Sequence, residues 1–211
     1  MSLISKAAQT YLDDVERMYT LLKRLKVDHN LLSVQVARAP ANYFDLSLQD
    51  RATFLKAPST FHLCKTIIMQ NTKHDAGLEA FPQAAADPHY HKYVCVITQF
   101  EGKLNSQKIL NIMKALQHEK SSVGVKMSLK GFHFRLAEET EALELSGYQY
   151  NAITPFFMKN PTIPIILSQD IAELDPAYLW FSGGRINVKM GVSVADFLRF
   201  FGPDRVIVSK I

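Results

Sequence analysis

The stretch from Ser146 to Leu167, SGYQYNAITPFFMKNPTIPIIL, constrains this chain more than any other. Gly147 follows a helical pattern and supplies the left-handed backbone on which helices commonly end. Pro155 has a fixed φ and no backbone N–H, and it pushes Thr154 towards extended geometry. A turn therefore leads into a stiff loop, and the loop into an apolar strand, Ile163 to Leu167. Such a loop holds its amide and carbonyl groups in fixed directions, as a site built from backbone groups requires, although most Pro-containing turns are only turns.

Around this stretch lies enough apolar material for a sizeable core: 211 residues, 47% of them apolar, suit one domain or one domain with a helical arm. A formal charge of +4 is compatible with a nucleic-acid partner without requiring one. Cys64 and Cys95 lie inside the apolar runs HLCKTII and YVCVITQF and read as buried small hydrophobes of a reducing compartment. The first residues, MSLISKAAQTYLDDVERM, carry acidic side chains and no long apolar run, so they read as neither a secretory signal nor a membrane span. The expectation is a soluble cytoplasmic protein without membrane association.

From Ile4 to Leu25 apolar residues recur at helical spacing and predict an amphipathic helix, whose stripe is expected to pack on its own domain rather than on a partner. Leu31 to Ala37 predicts a strand, and Ser47 with Asp50 caps a short helix through Lys56, stopped by Pro58. His62 to Met69 reads as a mostly buried strand carrying one charge, Lys65, which either reaches a partner or snorkels to solvent. Asn71 to His91 reads as a surface excursion; its His89-x-His91 pair lacks the further ligands of a metal site, so no metal and no cofactor is expected.

Lys92 to Phe100 predicts a strand, Asn105 to His118 a helix, Val123 to Leu136 a segment with basic residues alternating with apolar ones, and Ala137 to Ser146 a helix. Beyond the central loop come a helical turn at Asp170 to Asp175, a strand from Tyr178, and SGGRINVKMGV, where Gly183-Gly184 is expected to make a tight hairpin turn. Ser193 and Asp196 cap a last helix, Val194 to Phe201, and Arg205 to Lys210 closes the sheet. Seven or eight strands with interspersed helices and no regular βαβ alternation point to a mixed sheet in an α/β or α+β domain. No catalytic serine elbow or phosphate-binding glycine motif is present. Cys64 does not read as a nucleophile, because strand alternation points it away from Lys65. A site made of one strand lysine, a Pro-fixed loop and a Gly-Gly segment lacks a standard general base and would work through positioning and backbone hydrogen bonds.

Lys65-Thr66-Ile67, then Gly147-Tyr148 with Thr154-Pro155-Phe156, then SGGRINVKMGVSVADFL from Ser182 to Leu198 resemble, in this order and spacing, the YbaK/prolyl-tRNA-synthetase-associated editing domain family. The stretch RLAEETEALELSGY from Arg135 to Tyr148 adds to the resemblance, which covers about Ser47 to Phe201. It implies a curved mixed β-sheet flanked by helices, with residues 1–46 as an N-terminal helix-and-strand extension and residues 47–211 as the editing domain, packed as one unit. The implied activity is hydrolysis, in trans, of the ester between a wrongly attached amino acid and the terminal ribose of a tRNA, with alanine or cysteine on proline tRNA as the first substrates to test. Lys65 would hold the 3′-end or the ester carbonyl; Asn151, Ala152, Ile153, Thr154 and Pro155, with Gly183 and Gly184, would bind the aminoacyl group. Water, the ribose hydroxyl or a substrate thiol would make the attack, with no metal.

Two positions depart from the family pattern. Asn151 and Phe157 stand where the loop has glycines; Asn tolerates positive φ, whereas Phe157 is expected to narrow the pocket. Lys92, Lys126, Lys130, Arg135 and Lys189 are candidate contacts to tRNA phosphates. The competing reading is a catalytically inactive tRNA-binding or protein-docking module, whose N-terminal helix would meet an aminoacyl-tRNA synthetase; a small-molecule hydrolase has no support beyond the same loop.

Overall fold

The computed structural model describes residues 5–74, 90–120 and 131–211, and for residues 117–120 the backbone alone. Lys126, Lys130 and His89 lie outside the described residues. In chain order the elements are α1 (Lys6–Leu22), continuing into a wider π-helical turn (Lys23–Asp28), β1 (Gln35–Arg38), a 3-10 turn (Tyr43–Asp45), α2 (Leu48–Leu55), a second 3-10 turn (Thr60–His62) and β2 (Cys64–Asn71). Then come β3 (Tyr93–Gln99), α3 (Ser106–Lys120), β4 (Phe134–Leu136), α4 (Glu139–Ser146), β5 (Ile165–Ser168), α5 (Gln169–Ala172), β6 (Tyr178–Arg185), β7 (Val188–Ser193), α6 (Val194–Phe201) and β8 (Val206–Ser209). No described helix is long and apolar enough to cross a membrane.

The helix boundaries follow from local chemistry. The Ser47 and Ser193 hydroxyls accept the backbone N–H of Asp50 and Asp196, each at 3.1 Å, and so satisfy first-turn donors of α2 and α6. Glu138 and Glu141 form a reciprocal capping box on α4, and Gly147 ends that helix at φ 76°.

The expected mixed sheet is two sheets. β1, β7 and β6 form an antiparallel three-stranded sheet, and β4-β2-β3-β5-β8 a mixed five-stranded one in which β3, β5 and β8 run parallel. A parallel bridge between Leu63 and Trp180 joins them. The inner strands β3 and β5 bury both faces, which is why they read as unbroken apolar runs. Cys95, Ile97, Ile165 and Leu167 face the main core with Phe156, Phe181 and Phe197; Val94, Val96 and Ile166 face a second core beneath α3 with Ile109 and Met113. A third cluster, Tyr43, Ala52, Leu55, Leu63 and Trp180, forms where α2 covers the small sheet. The thiols of Cys64 and Cys95 are buried, and burial pushes both above the usual range, Cys95 to about 12, so neither is a ready thiolate.

The Gly-Gly pair does not make the hairpin turn. β6 runs on to Arg185 and the chain reverses at Ile186-Asn187, while Gly183-Gly184 forms an irregularity in β6 between Ser182 and Arg185, with Gly184 at φ 93°. A side chain at Gly184 would meet Arg17 Nη2 at 2.5 Å and the Tyr148 ring at 2.8 Å. The bulge is thus the seat for α1 and for the central loop.

α1 packs differently from its apolar stripe. Leu21 and Leu25 are buried, whereas Tyr11, Leu12, Val15 and Tyr19 are exposed. Met18 and Leu22 also pack on the main core, but one turn earlier the inward face is polar: Asp14, 1% exposed, accepts Arg38 Nε at 3.1 Å, Arg185 Nε at 2.9 Å and Asn187 Nδ2 at 3.2 Å. Specific hydrogen bonds to two strands outweigh hydrophobic periodicity at this position, because a buried carboxylate tolerates few other arrangements. Asp14→Ala leaves two guanidinium groups without their shared partner and is expected to cost about 3 kcal/mol, read as a lower urea midpoint at unchanged slope.

Candidate functional site

β4 pairs with β2 only from Met69 to Asn71, so among the described residues the opposite end of β2 has an open edge. In the antiparallel ladder with β3, the odd residues of β2 exchange hydrogen bonds with their partners, as Leu63 O with Phe100 N and Asn71 N with Lys92 O. The N–H and C=O of Thr66 therefore point away from β3, towards the open edge.

A cavity of about 380 Å³ lies along this edge, lined by residues 64–68 of β2, by Leu136 and Ala137 at the end of β4, by Glu139 and Ala142 of α4, and by Trp180, Phe181 and Ser182 of β6. Tyr43, Phe44, Leu55 and Phe100 form its apolar wall, Tyr150, Asn151 and Ile153 its rim, and Lys189 completes it. A small apolar cavity with few convergent polar groups is the usual form of a ligand site.

The structure brings four of the sequence-predicted site residues to this cavity: Lys65, Asn151 and Ile153, and Lys189, which was expected at a phosphate-binding surface instead. Lys65 is half-buried and its Nζ donates to the Gly102 carbonyl at 3.3 Å. The neighbouring Thr66 Oγ1 is buried without a hydrogen-bond partner, an orphan that a bound ligand would satisfy. Asn151 sits at φ 61°, so the backbone keeps the left-handed geometry of the glycine that the loop pattern asks for. Phe157 also takes positive φ, 58°, but it does not narrow the cavity: its ring lies under the Arg24 guanidinium at 3.5 Å and beside Phe200, away from the lining.

The remaining loop residues serve as anchor rather than lining. Ala152, Thr154 and Pro155 are buried, and Phe156 packs among Phe181, Phe197, Phe200 and Phe201 with ring centroids 4.8–6.2 Å apart. The Tyr148 hydroxyl accepts from Arg17 Nη2 at 2.9 Å and donates to the Phe156 carbonyl at 2.8 Å; Arg17 Nε donates to the Gly183 carbonyl at 2.7 Å. Gly183 and Gly184 thus hold the loop in place and do not line the cavity.

The expected phosphate contacts divide. Lys92 and Arg135 stand at the far end of β2, where Asn71 N bonds Lys92 O and Gln70 pairs with Arg135, roughly 20 Å of strand from Lys65 at ~3.3 Å per residue. Arg135 is exposed and meets Glu138 at 3.4 Å. Lys189 is not a surface residue: strand alternation turns it under α2, where it is 4% exposed. Its Nζ donates to the Ile186 carbonyl at 2.9 Å and lies over the rings of Tyr43 and Phe44 at 4.7 and 4.4 Å. Burial, with the Arg51 guanidinium adding to it, pulls Lys189 down from the ordinary lysine range to about 8. Its place in the cavity was not read from the sequence, although VKMGV carries the signal that drew attention to Lys65, one lysine inside an apolar strand. Thr66 and the aromatic wall carried no such signal, because only tertiary contacts gather them.

No family model matches the sequence, and no curated protein matches it. Among solved structures, a protein proposed to be a trans-editing enzyme for prolyl-tRNA synthetase superposes with a TM-score of 0.60 at 17% identity, over 93% of this chain and 95% of its own. A scaffold protein from the computational grafting of epitope backbones gives 0.60 at 15%, over 94% and 96%, and a protein described only as hypothetical gives 0.56 at 16%, over 92% and 97%. At such identities the likeness is one of fold: the chain shares the overall mixed α/β fold of these structures.

Unfolding frees Lys189 to recover its ordinary proton affinity, so between pH 8 and 10.5 the unfolded state binds more protons and stability rises with pH. Lys189→Met is expected to stabilise the protein by about 1–3 kcal/mol below that window, with the gain shrinking as the pH rises through it, as measured by thermal unfolding across pH.

Proposed function

We propose that this protein is an aminoacyl-tRNA deacylase that hydrolyses, in trans, the ester of a mischarged tRNA, with alanine or cysteine on proline tRNA as its first candidate substrates. The observation that carries the reading is Lys65 beside the open edge of β2, in one cavity with the left-handed Asn151 of the central loop. The fold likeness to a trans-editing protein supports it.

In this reading the terminal ribose and its aminoacyl group enter past Tyr150 and Asn151. The Thr66 N–H and the Lys65 ammonium offer donors to the ester carbonyl, whose oxygen gains charge as a nucleophile adds. The apolar wall excludes bulk water and strengthens those donors. Lys92 and Arg135 fit contacts to phosphates further along the RNA, through charge rather than shape.

Incubation with a panel of mischarged tRNAs tests the reading. Wild type is expected to release amino acid, and Lys65→Ala, folded as judged by its melting curve, to lose about 100-fold or more in turnover; a folded Lys65→Ala with full turnover removes the assigned role. Asn151→Gly is expected to leave turnover within a few-fold, since the backbone already holds the glycine geometry. A large gain in that variant would instead mark the loop as decayed and favour the docking-module reading.

A further inference from the structure

We propose that Lys189 is the general base of this cavity, taking the proton from the water that attacks the acyl carbonyl while Lys65 holds the ester; the proposal rests on the deacylase reading. Sequence motifs left that reaction without a base. The cavity holds two lysines, and they differ in surroundings: Lys65 is half-buried near the Gly102 turn, whereas Lys189 is almost fully enclosed.

The titratable and charged groups beside Lys189 or sharing its cavity come from four elements. Tyr43 lies on the first 3-10 turn, its phenol itself pushed up to about 12 by burial. Arg51, on α2, donates to the carbonyls of Phe44 and Leu46 and has no carboxylate partner among the described residues. Lys65 on β2 and Glu139 in the first turn of α4 line the same cavity, and neither forms an ion pair with Lys189. Burial and the Arg51 charge both favour the neutral amine, and its affinity of about 8 is that of a base working near neutral pH.

A neutral amine has two hydrogens and one lone pair. One hydrogen goes to the Ile186 carbonyl, which fixes the head, and the lone pair is left for water. In the step, the water oxygen bonds to the acyl carbon as its proton passes to Lys189 Nζ. The bond from acyl carbon to ribose oxygen then breaks, and that oxygen takes the proton back from Nζ. Acid and free ribose hydroxyl leave, and the amine is regenerated neutral.

The test is the pH dependence of single-turnover deacylation, corrected for spontaneous ester hydrolysis, for wild type, Lys189→Arg and Lys189→Met. Arginine keeps the charge but does not release its proton; methionine keeps the shape and covers the case in which the arginine variant fails to fold. The expected result is a wild-type rate that rises with pH and levels off above about pH 8, and a rate constant about 100-fold or more lower in either folded variant, with KM changed only a few-fold. Lys189→Arg at wild-type rate would make Lys189 a charge that positions and not a base. A wild-type rate flat from about pH 6 to pH 9.5 would also overturn the base role, and in both cases the deacylase reading stands. A wild type that cleaves no aminoacyl ester removes the deacylase reading and the base role together.

Discussion

Two side chains of α1, Asp14 and Arg17, hold together parts of the chain that are more than 130 positions apart in sequence. Asp14 gathers Arg38 of β1 and Arg185 and Asn187 of the β6–β7 hairpin onto one buried carboxylate. Arg17 joins the Gly183 carbonyl to the Tyr148 hydroxyl, and Tyr148 passes the connection to the Phe156 carbonyl. The small sheet, the bulge and the central loop are therefore fixed relative to one another through a helix that a plain hydrophobic reading treats as an appendage. A buried charge of this kind specifies position more than it adds stability, since its desolvation offsets much of its attraction.

The consequence for the cavity is geometric. The loop is anchored on its far side by Phe156 in an aromatic cluster, which leaves Asn151 and Ile153 to form the rim. Opposite them the edge of β2 that faces away from β3 has no strand partner among the described residues from Lys65 to Ile67, so its backbone groups stay available where the cavity meets the edge. Open strand edges invite unwanted pairing, and here β4, β6 and the loop enclose the exposed length within a concave site. Rigid anchoring on one side and unpaired backbone on the other suit chemistry that depends on positioning.

The two lysines of the cavity illustrate how burial divides like residues between roles. Lys65 keeps a carbonyl partner and contact with solvent. Lys189 loses nearly all solvent and has Arg51 for a neighbour instead of a carboxylate, and both effects favour its neutral form.

Local rules determined much of this protein. Serine caps, the capping box, the Gly147 stop, the apolar runs of β3 and β5 and the tolerance of Asn151 for positive φ are properties of a few neighbouring residues, and they were legible because the physics that sets them is local. Lys65 stood out for the same reason, as a charge in an apolar strand. Long-range pairing decided the rest. Gly183-Gly184 is a bulge and not a turn because Arg17 and Tyr148 occupy the space beside it. The polar face of α1 turns inward because Asp14 finds partners on two distant strands, and Lys189 becomes a cavity residue because α2 folds over the small sheet. Periodicity tells which residues share a face; only the assembled fold decides what that face meets.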